Sequence, residues 1–336
     1  MPPKQFQALV VSEEADNTFV RKLTTKSTTD LPDYDVLISV KFSSLNYKDA
    51  LSASGNKGVT KRYPHTPGVD VAGVVEESRS ELFSPGDNVI VTSYDLGTKI
   101  PGGFGQYVKV PAEWIVPCPD GLSLYESMVL GTAGFTAAQS VLKLIEHGIK
   151  PNDGKILVSG ATGGVGSITV SLLSHLGYHV VGVTGKTQAH AMLKDIGADD
   201  VISREEASDT SGRLLLREKW AAVVDTVGGI ILETAIKTTQ YGGIVTCCGN
   251  VASADLSISV YPFILRGVTL TGIDSAKCPM KTRKMIWDKL ASGWKLPALE
   301  NLANDINLSQ LNNHIDMILK GKTKGRVVLN LHGETS

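Results

Sequence analysis

The stretch 155–176, KILVSGATGGVGSITVSLLSHL, decides how the rest of the chain is read. Residues 156–159 form an apolar strand, and farther on Ile168, Leu172, Leu173 and Leu176 recur at the spacing of one helix face. Between them stand Gly160, Gly163, Gly164 and Gly166. Without Cβ atoms the turn reverses tightly, a pyrophosphate can approach the backbone, and the new helix packs closely on the strand. The helix N-terminus then offers unpaired N–H groups and a positive dipole end to an anion. The spacing Gly160-x-x-Gly163-x-x-Gly166 is not the commonest fingerprint, and glycine-rich turns also serve merely as connectors. Here a second strand at 179–184 completes a βαβ unit of the expected size, so a dinucleotide is the expected occupant.

Outward from this unit the alternation continues: helix 188–196, strands 200–202 and 221–225, helix 231–239, strands 243–247 and 269–273. Such a pattern gives a doubly wound parallel sheet covered on both faces. Upstream, apolar residues at helical intervals make 130–144 a connecting helix, stopped by Gly148 and Pro151. Before about residue 125 the chain is β-rich, with strands at 7–12, 35–44, 68–77, 88–93 and 106–111 and a short helix within 47–54. After 275, amphipathic helices at 281–292 and 308–319 precede an apolar final strand, 325–331. If that strand completes the N-terminal unit, the nucleotide domain, 128–274, is inserted in a split catalytic domain, 1–127 with 275–336, and a cleft lies between them.

At 336 residues and 42% hydrophobic content the chain can bury a large core in two domains or so. A formal net charge of −1 gives no global attraction to nucleic acid or to an anionic membrane. No apolar run reads as long enough to cross a bilayer, and the opening residues, MPPKQFQALVVSEE, lack a signal-peptide core. Cys118, Cys247, Cys248 and Cys278 show neither C-x-x-C nor a disulfide framework, which suits reduced thiols in a cytoplasm. His175 and His179 have the spacing of a helical metal pair, but Gly177 ends the helix between them. No G-x-S-x-G elbow is present, so hydrolase readings fall away.

Five motifs occur in order: Ser44-Leu45-Asn46-Tyr47-Lys48-Asp49, Pro67-Gly68-Val69-Asp70-Val71-Ala72-Gly73, Pro85-Gly86-Asp87-Asn88-Val89, Gly131-Thr132-Ala133-Gly134-Phe135-Thr136-Ala137, and Gly160-Ala161-Thr162-Gly163-Gly164-Val165-Gly166. Together they resemble the medium-chain dehydrogenase/reductase superfamily, in its zinc-free, quinone-oxidoreductase-like branch, across essentially the whole chain. Within that branch Asn46-Tyr47-Lys48-Asp49, Gly102-Gly103-Phe104-Gly105-Gln106-Tyr107 and Lys324-Gly325-Arg326-Val327 are most similar to the acrylyl-CoA reductase subfamily. The resemblance implies an α/β fold with a Rossmann domain inserted in a split, GroES-like catalytic domain. It also implies NADPH-dependent reduction of acrylyl-CoA to propanoyl-CoA.

In zinc members of the superfamily a Cys ligand occurs where this chain has Asn46, and a His ligand follows the glycine of the segment that here reads Gly68-Val69-Asp70. Both are missing, so no metal is expected, and alcohol oxidation loses the Lewis acid that stabilises an alkoxide. Reduction of an enoyl thioester requires positioning, a donor for the enolate-like oxygen, and a proton. Tyr47 is the first catalytic candidate, its phenol orienting the nicotinamide or donating near the substrate; the alternative is a packed aromatic. Asn46 and Asp49 either position cofactor groups or cap the helix that carries Tyr47. Tyr63 is a second candidate, because related enoyl reductases use a tyrosine in the loop after this segment.

NAD-selective Rossmann folds end their second strand with an acid; here the strand ends Val183-Thr184-Gly185-Lys186. A hydroxyl and a lysine suit a 2′-phosphate, with Arg204 able to close on it unless these are ordinary solvated charges. NADPH is therefore the expected cofactor. The resemblance places Thr132, Thr162, Gly163, Gly164 and Val165 on the cofactor, and Asn250 and Ser275 on its nicotinamide half. Arg326 either contacts phosphate or begins the last strand. A rim for the phosphates of an acyl-CoA substrate could be built from Lys57, Lys61 and Arg62, or from Lys277, Lys281, Arg283 and Lys284; both clusters also suit a solvated face. The strand 269–273 would leave an open sheet edge, which superfamily members commonly pair across a twofold axis, so a homodimer is expected. Two other functions stay open. One is quinone or small-enone reduction. The other is NADPH binding without turnover, for structure or for interaction such as with RNA, which the near-neutral charge does not favour.

Overall fold

Phe6, Ala8, Leu9 and Val11 are buried along the first strand, β1 (Gln5–Glu13), which pairs antiparallel with β2 (Phe19–Ser27). The sequence pattern misses β2 because most of its side chains meet solvent and no apolar alternation is needed. The computed structural model describes residues 2–332; Met1 and residues 333–336 of the expected outer segment lie outside it. Next come β3 (Val36–Ser44), α1 (Tyr47–Ser52), β4 (Asp70–Ser78), β5 (Asn88–Thr92), β6 (Tyr107–Val110) and β7 (Val116–Pro117). The expected strands are recovered with ends shifted by a residue or two.

Helix α2 (Leu124–Glu146) is longer than the expected 130–144 because it merges two helices across a kink at Gly131, whose φ of 51° and ψ of −154° are non-helical. Contrary to the expectation from the sequence, α2 is long and apolar enough to cross a membrane; 78% of its apolar window is buried within the protein. The nucleotide unit follows: β8 (Lys155–Val158), α3 (Gly164–His175), β9 (His179–Val183), α4 (His190–Asp195), β10 (Asp200–Ile202), β11 (Trp220–Asp225), α5 (Gly229–Thr238), β12 (Thr239–Cys247), α6 (Tyr261–Arg266) and β13 (Thr269–Gly272). The helix expected at 188–196 begins as a 3-10 turn, Thr187–Ala189, before α4. The last elements are α7 (Met280–Ala291), β14 (Ala303–Ile306), α8 (Leu311–Leu319) and β15 (Arg326–Asn330).

The chain divides into two units. The first comprises residues up to Thr132, Ala276–Ser292 and Pro297 onward; the second comprises Ala133–Ser275 with Gly293–Leu296. In the first unit a seven-stranded sheet runs β14-β15-β3-β4-β5-β7, with β6 paired to β3. Its core holds Val36, Ile38, Val40, Val71, Val89, Val91, Val327 and Leu329. The final strand β15 pairs antiparallel with β3, as the sequence reading requires, and β14 lies parallel beside it. The second unit is a six-stranded parallel sheet in the order β10-β9-β8-β11-β12-β13. That is the doubly wound sheet, with the glycine turn after β8 at the reversal of strand order.

Candidate active site

In the first unit, three segments deliver polar groups into an apolar interior. Ser44 ends β3, Asp70 begins β4, and Arg326 begins β15; all three are 2% exposed or less. Asp70 accepts from Ser44 Oγ at 2.6 Å, Asn46 Nδ2 at 2.7 Å, Thr132 N at 2.9 Å and Thr132 Oγ1 at 2.5 Å. Arg326 donates from Nη2 to Ser44 Oγ at 2.8 Å, from Nη1 to Asn46 Oδ1 at 3.2 Å and from Nε to the Val129 carbonyl at 2.8 Å, with Asp70 4.0 Å away. A buried carboxylate is tolerated only when paired and hydrogen-bonded in this way. Gly131 is required at the kink because a Cβ there would come within 2.5 Å of Asp70 Oδ2 and 2.6 Å of Ser44 Oγ.

Asp49 is also wholly buried. Its Oδ2 accepts Asn46 N at 2.8 Å, closing the first turn of α1, while its Oδ1 accepts Val69 N at 2.8 Å. Burial, reinforced by the nearby Asp70 charge, pushes its carboxyl up to about 7. Asp49 thus caps the first turn of α1. The Asn46 amide is fully committed: Nδ2 to Asp70 and Asp49, Oδ1 to Arg326. Tyr47 opens α1, half-buried, and its phenol has no hydrogen-bond partner among the described residues. Tyr63 differs. Its phenol donates to the Ser52 carbonyl at 2.7 Å and its ring packs edge-on against Phe19.

Arg326, expected to contact phosphate or to begin the last strand, does the latter and turns its guanidinium inward. Lys57 is likewise engaged, bonded to Glu13 at 2.5 Å and lying over the Phe19 and Tyr63 rings. Arg283 is fully buried and donates to the Thr92 carbonyl and hydroxyl. Of the expected basic rim, Lys61, Arg62, Lys277, Lys281 and Lys284 are exposed.

In the second unit, α3 starts from Gly163 with no side-chain cap. No cap side chain therefore competes with an anion for the first N–H groups of the helix. The turn is tight: a Cβ on Gly166 would come within 2.3 Å of the Gly160 carbonyl, and Gly160 itself has φ 57°. Thr162 and Thr184 are buried beside it, and Thr184 Oγ1 accepts the Lys186 N–H at 3.1 Å. Arg204 lies against Gly185, where a Cβ would meet its guanidinium at 2.9 to 3.1 Å. The Arg204 guanidinium thus lies against Gly185, next to Lys186 in the chain, just beyond the end of β9. Buried Asp225 ties the crevice turns together, accepting from Ser159 Oγ at 2.7 Å and Gly228 N at 2.8 Å. Asn250 is exposed in the loop after β12 and Ser275 half-buried after β13.

Sequence reasoning missed Ser44 and Asp70 as parts of the polar cluster, and Gly131 as the glycine that leaves room for it. The available signal was a charged residue inside an apolar run, Asp70 in GVDVAGVV and Arg326 in GRVVLNL. Among the described residues, no group of three or more His, Cys, Asp and Glu side chains is placed to hold a metal ion.

Residues 32–120 match the alcohol dehydrogenase GroES-like domain family, and residues 164–292 match the zinc-binding dehydrogenase family. The chain is 44% identical over 327 residues to the putative quinone oxidoreductase YhfP of Bacillus subtilis, covering 97% of this chain and 99% of that one. It is 40% identical over 331 residues to the acrylyl-CoA reductase AcuI of Ruegeria pomeroyi, again covering 97% and 99%. Among solved structures, Escherichia coli K-12 YhdH with bound NADPH superposes with a TM-score of 0.94 at 38% identity, covering 97% of this chain and 100% of that one. Bacillus subtilis YhfP with NAD bound gives 0.95 at 43% identity, covering 98% and 100%.

Proposed function

We propose that this chain, which belongs to the medium-chain dehydrogenase/reductase family, reduces the C=C bond of acrylyl-CoA to give propanoyl-CoA, using NADPH and no zinc. The observation that carries the reading is the committed Asn46 amide. It occupies a ligand position of zinc relatives with both ends bonded inward, to Asp70, Asp49 and Arg326. That donor set does not fit zinc, so the hydride acceptor is one that needs no Lewis acid. A conjugated thioester or a quinone meets that condition; an aldehyde or ketone whose carbonyl must be polarised by zinc does not.

The uncapped start of α3 would hold the pyrophosphate, and Lys186 with Arg204 would hold the 2′-phosphate. NADPH, when bound, supplies the hydride for the β carbon. Tyr47, with a phenol engaged by no described residue, gives a hydrogen bond to the developing enolate or supplies the α-carbon proton. Support for the acyl-CoA substrate comes from the relationship to AcuI; support for a quinone, the second reading, comes from the relationship to YhfP. Comparing kcat/KM for acrylyl-CoA, crotonyl-CoA and a simple quinone, each with NADPH, separates them. Preference for acrylyl-CoA upholds the first reading; preference for the quinone replaces it, and NADPH binding without turnover of any acceptor removes both.

We further read the protein as a cytoplasmic homodimer. Supporting the dimer, β13 is an edge strand and α6 next to it leaves Val260, Ile264 and Leu265 more than half exposed. Sedimentation at micromolar concentration distinguishes a dimer from a monomer.

A further inference from the structure

Ser93 and Tyr94 follow β5 with φ of 65° and 51°. That is the left-handed region, which residues other than Gly, Asn and Asp seldom occupy and which clusters at functional sites. Glycine at both positions would be free of strain, so the side chains are the reason for the residues. The Tyr94 side chain is accounted for within the fold. Its ring stacks on Trp114, with centroids 5.2 Å apart and planes at 8°, and the Arg283 guanidinium carbon sits 4.4 Å from its centroid. Arg283 also grips Thr92, one residue before the strained pair, through that residue's carbonyl at 3.0 Å and hydroxyl at 2.8 Å. Ser93 N donates to the Val69 carbonyl at 2.7 Å. The backbone at Ser93 is thus held on every side.

The Ser93 hydroxyl has a different use. It lies 2.9 Å from Thr132 Oγ1, which lies 2.5 Å from Asp70 Oδ1. A carboxylate only accepts, so the single Thr132 hydroxyl proton goes to Asp70, and Ser93 must be the donor to Thr132. The chain Ser93, Thr132, Asp70 is polarised inward. Ser93 Oγ is left with lone pairs and no proton to give, and among the described residues nothing donates to it.

We propose that Ser93 is a ligand-binding residue of this site, accepting a hydrogen bond from an N–H or O–H of the bound cofactor or substrate. It is not the proton donor of the reduction. The inference rests on the reading of the site as one for NADPH and an acyl-CoA. Two sources supply such a donor: the carboxamide or ribose hydroxyls of the nicotinamide half, and the amide N–H groups of the pantetheine arm. A simple quinone carries neither.

The test uses the full chain with Ser93→Gly, which suits the left-handed backbone, beside Ser93→Ala. Three quantities are measured: Kd for NADPH without substrate, by cofactor fluorescence; kcat and KM for acrylyl-CoA; and the solvent deuterium isotope effect on kcat. A tenfold or greater weakening of NADPH in both variants identifies the cofactor as the source. A tenfold rise in KM alone identifies the acyl-CoA, and in either case the isotope effect stays as in the wild type. The proposal is overturned if Ser93→Gly folds with unchanged Tm and moves neither constant by threefold. It is also overturned if kcat collapses with an altered isotope effect, which would make Ser93 the proton donor. Should the wild type ignore acrylyl-CoA and use a quinone, the proposed substrate is wrong. Ser93 is then judged on NADPH Kd alone, and an unchanged value refutes it.

Discussion

Replacing Arg326 with methionine removes the one guanidinium inside the polar cluster of the first unit while keeping much of its length. The Val129 carbonyl and Asn46 Oδ1 lose their donors, and Ser44 Oγ loses one of its partners. Asp70, 4.0 Å from Nη2, loses its compensating charge. At an effective dielectric of about 20, unit charges at that separation interact by about 4 kcal/mol. Deleting one partner of a buried pair costs about 3–5 kcal/mol because the other charge stays behind uncompensated. We therefore expect Arg326→Met to lose about 3–5 kcal/mol, a large part of the roughly 5–15 kcal/mol that holds a folded chain together. With a urea m-value of about 3 kcal/mol/M, the unfolding midpoint falls by about 1–2 M. Tryptophan fluorescence follows the transition, since Trp114 and Trp287 share the unit with Arg326. In the same background Asp70→Asn removes the stranded charge and recovers about 1–3 kcal/mol. A loss below 1 kcal/mol, or no recovery on adding Asp70→Asn, would refute the idea of a charge-compensated cluster.

Asp49 makes stability depend on pH. Its folded value of about 7 lies above its ordinary value of 3.8, so the folded state binds the extra proton between them. Its contribution is complete below about pH 4 and is lost as pH rises through 7, at up to about 1.4 kcal/mol per pH unit. Urea midpoints at pH 5 and 8 should differ in the wild type and much less in Asp49→Asn; equal slopes in both would exclude Asp49 as the source. Lys186→Ala should raise Kd for NADPH about tenfold and leave NADH nearly unchanged, measured by fluorescence titration; equal losses for the two cofactors would remove the 2′-phosphate assignment. Tyr47→Phe should lower kcat by about tenfold or more with little change in NADPH affinity. A kcat within twofold of the wild type would leave proton delivery to water.

The nucleotide unit was the most legible part, because a glycine turn between a periodic strand and a periodic helix is a local signal that needs no distant partner. A parallel sheet covered on both faces then followed from the alternation of strands and helices. The elements that escaped are those with weak periodicity: the solvent-facing strand β2, the short strand β14 and the six-residue helix α6. The polar cluster escaped for another reason. Arg326 and Ser44 lie 282 positions apart, and nothing local announces that they share a hydrogen bond. Asn46, Asp49 and Arg326 were singled out, yet the partners that hold all three inside the cluster come from segments far apart in the chain. Tyr63 was drawn from the resemblance, and the Ser52 carbonyl that accepts its hydrogen bond stands eleven positions earlier.

The most direct test of the account follows the hydride itself. Incubating the protein with acrylyl-CoA and NADPH deuterated at the transferable C4 position, in ordinary water, and analysing the product by mass spectrometry and NMR locates every new hydrogen. The account predicts propanoyl-CoA with one deuterium at C3 and one solvent-derived proton at C2. Absence of propanoyl-CoA, or product whose C3 hydrogen comes from water, would contradict it.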